Sequence, residues 1–133
     1  MDLPIYVYDV ECYPNMFELG IIPLNADQNL IDMYIRADLA RDLKSMAIFA
    51  RALRIKTFVI YKNWITGEWK DDRVLIADFF SSHKIMYGFN SNEYDSIMVD
   101  WLLHNGKLYN PKGIGKDGTH ITADLHAVSD SII

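Results

Sequence analysis

The chain has 133 residues, half of them apolar by type and 13% aromatic, with an ordinary charged fraction of 23%. That composition is globular, and the length predicts one domain, which excludes a disordered or fibrous chain and a complete multidomain enzyme. Thirteen Lys and Arg against eighteen Asp and Glu give a net charge of −5, which argues against nonspecific coating of duplex nucleic acid but leaves room for metal-dependent nucleases, whose sites concentrate carboxylates.

The first strong element is Ile5-Tyr6-Val7-Tyr8-Asp9-Val10-Glu11. Its β-branched and aromatic residues predict a strand, and period 2 sets Ile5, Val7, Asp9 and Glu11 on one face. Pro14 and Asn15 mark a turn. Met16 to Pro23 and Leu30 to Arg36 read as two further strands, which makes an antiparallel meander of three. Ala37 to Arg54 reads as an amphipathic helix with Asp38 as N-cap and an apolar stripe of Leu39, Leu43, Met46, Ala50 and Leu53. Arg41, Lys44 and Arg51 fall on another face, read as solvated.

Thr57 to Tyr61 is expected as a strand. Thr66-Gly67 predicts a turn between Trp64 and Trp69, and hence a small hairpin. Asp71 or Asp72 is expected to cap a helix containing Val74, Leu75, Ala77, Asp78 and Phe79. Lys84 to Phe89 reads as a short strand. Glu93 to His104 reads as a helix that buries Ile97, Trp101 and His104 or Leu102. Asn105 to Gly118, with its four glycines and Lys107, Lys112 and Lys116, reads as a solvated loop. Ile121, Leu125, Val128 and Ile132 repeat at helical spacing, with Thr122 as N-cap. The sequence runs to an apolar residue of this helix, Ile133, and that ending looks like the middle of a domain.

Cys12 is the sole cysteine, so no intrachain disulfide forms, and a reducing, intracellular setting is expected. No apolar stretch approaches the ~20 residues of a membrane span. Met1-Asp2-Leu3-Pro4 lacks the basic start of a secretory signal.

Charged groups at the end of an apolar strand cost desolvation energy unless they are paired or bind a metal. Asp9 and Glu11 project from one edge, and two hard oxygen ligands at that spacing suit Mg²⁺ or Mn²⁺. Two strand-end carboxylates in solvent is the plainer alternative. Gly88-Phe89-Asn90-Ser91-Asn92-Glu93-Tyr94-Asp95 follows a strand and opens a helix. Asp95 in the first helical turn is either favoured there by the helix dipole or faces inward to join the first two acids. Three convergent carboxylates need cations to stay ionised together. His83, His104 and His120 have no metal-ligand spacing.

Tyr8-Asp9-Val10-Glu11 resembles the first motif of the DEDD 3′–5′ exonuclease superfamily. Gly88 to Asp95 resembles its second motif. The five-residue step from Asn90 to Asp95, with an aromatic residue before the Asp, is most similar to family B and phage-type DNA polymerase proofreading domains. Glu11-Cys12-Tyr13-Pro14-Asn15-Met16-Phe17 is similar to phage polymerase N-termini, and Asp124 to Ile133 to a helix downstream in those proteins. The resemblance spans most of the chain and is weakest from Ala37 to Asp72.

The resemblance implies an α/β, RNase H-like fold with a mixed sheet and flanking helices. It implies two-metal hydrolysis of the 3′-terminal phosphodiester of single-stranded DNA, with Mg²⁺ or Mn²⁺ held by Asp9, Glu11 and Asp95. Asn90 would hold the substrate strand or the turn. Tyr13, Phe17, Phe89 and Tyr94 are candidates to stack on terminal bases, with core packing as the alternative. The family's fourth acid, preceded by Tyr at four residues or His at five, has no counterpart here. Asp124 and Asp130 stand in the wrong context, and the four-residue step from His126 to Asp130 reads as coincidence. Residues 1–133 are therefore expected to be one exonuclease-like domain cut before the third motif, weak or inactive alone, and cytoplasmic, in a bacterial host if phage-encoded. Its partners would be a single-stranded DNA 3′ end and the rest of a polymerase or another polypeptide that completes the fold. The alternatives are a non-catalytic nucleic-acid-binding or assembly module of a split polymerase, and another RNase H-like nuclease.

Overall fold

The structure, a computed structural model, describes residues 3–63, 65–88 and 94–132. Strands β1 (Ile5–Tyr13) and β2 (Met16–Pro23) form a hairpin closed by Pro14 and Asn15, as their turn chemistry predicts. Helices α1 (Gln28–Leu39) and α2 (Leu43–Leu53) follow as a packed pair. Strand β3 (Lys56–Lys62) then pairs antiparallel with β2, and β4 (Trp69–Asp71) pairs antiparallel with β3. After α3 (Arg73–Ser81), β5 (Ile85–Gly88) lies parallel to β1. Helix α4 (Ser96–Asn105), a 3-10 turn (Gly106–Leu108) and α5 (Ile121–Ser131) complete the chain's elements. The sheet order is β4-β3-β2-β1-β5, an α/β architecture with a mixed five-stranded sheet.

One face of that sheet makes the core. Tyr8 and Val10 of β1, Phe17, Leu19 and Ile21 of β2, and Ile60 of β3 share it by register. Against them pack Ile76 of α3, Met98, Val99 and Leu102 of α4, and Ile121 and Leu125 of α5. Phe79 and Phe80 of α3 add edge contacts to Tyr6 and Tyr8. These contacts explain why α3, α4 and α5 lie on this face: each presents its apolar stripe to the alternate residues of the strands.

Several expectations are corrected. Leu30 to Arg36 is helix, not strand, so the third strand of the meander is β3. The Asp27 carboxylate accepts from the Asn29 and Leu30 amides at 2.8 and 3.2 Å, which starts a helix where the residues themselves fit either period. Ala37 to Arg54 is not one helix. Arg41 takes a left-handed φ of 55°, and Asp42 caps a new helix by accepting from the Ser45 amide at 3.2 Å and the Ser45 hydroxyl at 2.6 Å. Asp38 therefore caps nothing, and the supposed stripe ends Leu39 and Leu43 are 79% and 75% exposed.

Helix α3 has Asp72 at its N-cap position, but that side chain turns back to accept from the Val59 amide, and the Asp71 carboxylate accepts from the Arg73 amide at 3.1 Å instead. Helix α4 buries Met98, Val99 and Leu102, whereas Ile97 and His104 are exposed. The N-cap of α5 is His120, whose Nδ1 accepts from the Thr122 amide; Thr122 itself is buried inside the helix. The Asn105 to Gly118 loop contains the 3-10 turn, and an isolated bridge joins Ile114 to His120. The hairpin of β3 and β4 turns through Gly67 at φ 76°; Trp64 lies outside the described residues. Among the described residues no helix is long and apolar enough to cross a membrane.

Candidate functional site

Strand β1 alternates as its period predicts. Tyr8 and Val10 point into the core, and Asp9 and Glu11 are exposed on the opposite face. The two-residue turn fixes what stands beside them on β2. Gly20 is opposite Asp9, and Glu18 is opposite Glu11. A Cβ placed on Gly20 would meet nothing within 4 Å, so the backbone beside Asp9 is open to an approaching group. Glu18 is a third carboxylate of this face that the motif reading did not include. Its signal was available: a turn at Pro14 and Asn15 sets the register, and the register sets Glu18 against Glu11.

Asp95 reaches the same strand from far along the chain. Among the described residues, β5 pairs with β1 as far as Tyr8 and Gly88. Asp95, 1% exposed, accepts from the Val10 amide through Oδ1 at 3.3 Å. Tyr94 and Asp95 form a π turn ahead of α4, a widened turn that aims a side chain inward. The second-motif acid is thus tied to the residue between Asp9 and Glu11.

The electrostatics follow from this placement. Burial, then Asp95, then Glu11 push the Asp9 carboxyl above its ordinary range, while the Val10 backbone pulls it down. Burial and then Glu11 raise Glu18. Burial, Asp95 and Asp100 raise Tyr8. These are carboxylates crowded against one another, the condition a divalent cation relieves. Their hard oxygens fit Mg²⁺ or Mn²⁺ chemically. As placed, no three His, Cys, Asp or Glu side chains among the described residues stand close enough to hold an ion. Asp95 and Glu11 both bear electrostatically on Asp9.

The aromatic candidates separate. Phe17 is fully buried in the core, paired beside Cys12 and Ile60, and is corrected from a base-stacking residue to a packing one. Tyr13 is half exposed at the hairpin end, and its hydroxyl donates to Glu11 Oε2 at 3.3 Å. Tyr94 and Ser129 share a hydroxyl hydrogen bond of 2.8 Å that ties the π turn to α5. Phe89 and Asn90 lie outside the described residues. Cys12 has its thiol pushed up to about 11 by burial and Asp130, so it is no nucleophile near neutrality.

Elsewhere, His126 and Asp130 form an i,i+4 pair at 3.5 Å along α5, and Asp124 accepts from the Tyr109 hydroxyl. Arg73, unremarked in the sequence, organises the loop after α4. Its guanidinium forks onto Asp71 and donates to the carbonyls of Gly106, Tyr109 and Asn110.

Fold and site together define an α/β protein whose strand β1 carries acids on its exposed face and receives a buried acid at its edge. Set against known protein families, characterised proteins and solved structures, the chain matches none.

Proposed function

We propose that this chain is the N-terminal part of an RNase H-like 3′–5′ exonuclease domain of the DNA polymerase proofreading type. The observation that carries the reading is the Asp95 to Val10 hydrogen bond, which joins the two motif segments across 85 residues. The sheet order, three antiparallel strands with a parallel strand beside the first, supports the fold assignment. Asp9, Glu11 and Asp95 would hold Mg²⁺ or Mn²⁺, which when bound supplies an activated water and charge stabilisation at the leaving oxygen. Gly20 leaves room beside Asp9 for a phosphodiester. The substrate is the 3′ end of single-stranded DNA, and the fourth acid comes from outside these 133 residues.

Mn²⁺ titration tests the reading. Metal should raise the melting temperature of the chain, and Asp9→Ala and Asp95→Ala should each remove most of that rise. Equal Mn²⁺ stabilisation in the chain and both variants would overturn it. Release of mononucleotides from a 3′-labelled oligonucleotide is expected to be slow, because one of four acids is missing. Fast release abolished by Asp9→Ala would keep the nuclease and overturn the missing acid.

A second reading, an assembly module of a split polymerase, is favoured by exposed Leu39, Leu43 and Ile48 on the α1–α2 pair. A monomer in solution at high concentration counts against it.

A further inference from the structure

Arg54, Lys56 and Lys84 gather toward the amino end of β1, whereas Asp9 and Glu11 lie in its carboxyl half. Arg54 caps α2 in the left-handed conformation, Lys56 opens β3, and Lys84 immediately precedes β5. The Lys84 ammonium stands 3.9 Å from the centroid of the Phe79 ring, and the Lys56 ammonium 5.4 Å from the same centroid. The ring is held by an edge contact with Tyr6 and a tilted contact with Phe58.

An aromatic face attracts one cation, but two cations at one ring repel each other. Burial, and then the charge of Lys56, lower the proton affinity of Lys84. The Lys84 ammonium donates to the Ser82 hydroxyl at 2.6 Å, a neutral partner. Among the described residues no carboxylate stands within ion-pairing distance of Arg54, Lys56 or Lys84. The chain carries eighteen acids and a net charge of −5, yet none of the described acids pairs with these three cations. A positive cluster on a negative protein concentrates external anions.

Beside the cluster lies a cleft of about 670 Å³, lined by Tyr6, Pro23, Leu24 and Asn25 together with Arg54 and Lys56, within the size range of small-ligand sites. Lys56 belongs both to this cleft and to the Phe79 cluster. The walls are mostly apolar, with a cationic rim and one amide. That combination suits a flat organic body bearing an anion.

We propose that Lys56 and Lys84 at the Phe79 ring, with Arg54 on the cleft rim, bind the phosphate of a nucleotide whose base and sugar occupy the adjoining cleft. The site is separate from Asp9 and stands or falls independently of the nuclease reading. Its ligand is either a free nucleotide or the terminal nucleotide of a strand, because the phosphate chemistry is shared.

Calorimetric titration of dAMP, pyrophosphate and a 5′-phosphorylated oligothymidylate tests the proposal. Saturable dAMP binding is expected, weakened on the order of tenfold or more in Lys56→Gln/Lys84→Gln as two charge-assisted contacts are lost. Lys44→Gln, on α2, should change nothing. Reductive methylation of the unmodified chain gives a readout independent of variant folding: dAMP should protect Lys56 and Lys84 but not Lys107. Protection by dAMP supports a free nucleotide, and protection by the oligonucleotide alone supports a strand end. Pyrophosphate binding as tight as dAMP would overturn the role of the cleft. No saturable binding of any probe, or undiminished binding in the double variant without lysine protection, would overturn the site.

Discussion

Glu11 and Glu18 stand directly opposite each other on β1 and β2, a like-charged pair on the open face of the sheet. Such pairs are destabilising, so this one marks a place where the fold tolerates a cost. Burial and Glu11 raise the Glu18 carboxyl above its ordinary 4.5. A carboxyl raised by folding favours the fold below its ordinary value, and that benefit is lost as pH rises through the higher folded value. Glu18→Gln is therefore expected to stabilise the metal-free chain at pH 7 by about 0.5 kcal/mol, a melting-temperature gain of about 2 °C. The gain should vanish at acid pH, once the Glu18 carboxyl is protonated. Melting curves across that range check it.

Gly20 gives a prediction in which stability and function move in opposite directions. It is a strand residue with open space above it and Asp9 across from it. Gly20→Val should raise stability by up to about 1 kcal/mol, since β-branched residues suit a strand and nothing obstructs the side chain. The same methyl groups would cover the approach to Asp9. Oligonucleotide affinity and Mn²⁺ stabilisation should both fall in a protein that melts higher, and circular dichroism melts run beside the Mn²⁺ titration would show it.

Arg73 joins α3 to the loop after α4. Its pair with Asp71 spans 2.7 Å, with both side chains about 15% exposed or less. Breaking such a pair from one side costs about 3 kcal/mol, because the remaining charge stays buried. Arg73→Ala should lower the urea midpoint accordingly. Arg73→Lys should recover a part, since an ammonium lacks the fork that serves Asp71 and three carbonyls at once. Full recovery with Lys would show that charge alone matters there.

His120 and Gly113 form a second keystone. Gly113 has φ 77°, and a Cβ on it would collide with the His120 ring. Gly113→Ala is expected to cost about 1–3 kcal/mol from backbone strain and the clash. The His120 ring stacks on Trp69 at 4.3 Å and accepts the Thr122 amide through Nδ1. Burial lowers its proton affinity below the ordinary 6.5, with the Lys112 backbone and Asp71 pulling the other way. The contribution of this neutral ring is therefore complete above pH 6.5 and is lost as pH falls through the lower folded value. His120→Asn keeps an N-cap acceptor and should flatten the pH dependence of stability below the ordinary histidine value of 6.5.

Strands β1, β2 and β3 were legible because alternation of apolar and polar residues leaves few other solutions. Helix α1 was not, since Leu30, Ile31, Tyr34 and Ile35 satisfy a helix stripe as well as a strand, and the deciding contact is the Asp27 cap. The break at Arg41 was hidden for the same reason: Asp42 competes as a cap, and propensity alone favours continuing. Asp9 and Glu11 could be placed on one face from period 2. The seat of Asp95 could not, because it depends on a tertiary hydrogen bond from the Val10 amide, 85 residues away in the chain. Glu18 needed the turn length to be carried through to the register. Arg73 was invisible because its partners return to it from more than 30 residues away.

The bond between Asp95 and Val10 also orders events in time. Synthesis delivers the β1–β2 hairpin first, with Asp9, Glu11 and Glu18 already facing one another. Asp95 follows some 85 residues later, and its seat exists only after β5 has closed on β1. Contacts of such long separation form late. A nascent chain therefore displays Asp9, Glu11 and Glu18 well before Asp95 can take its seat against β1.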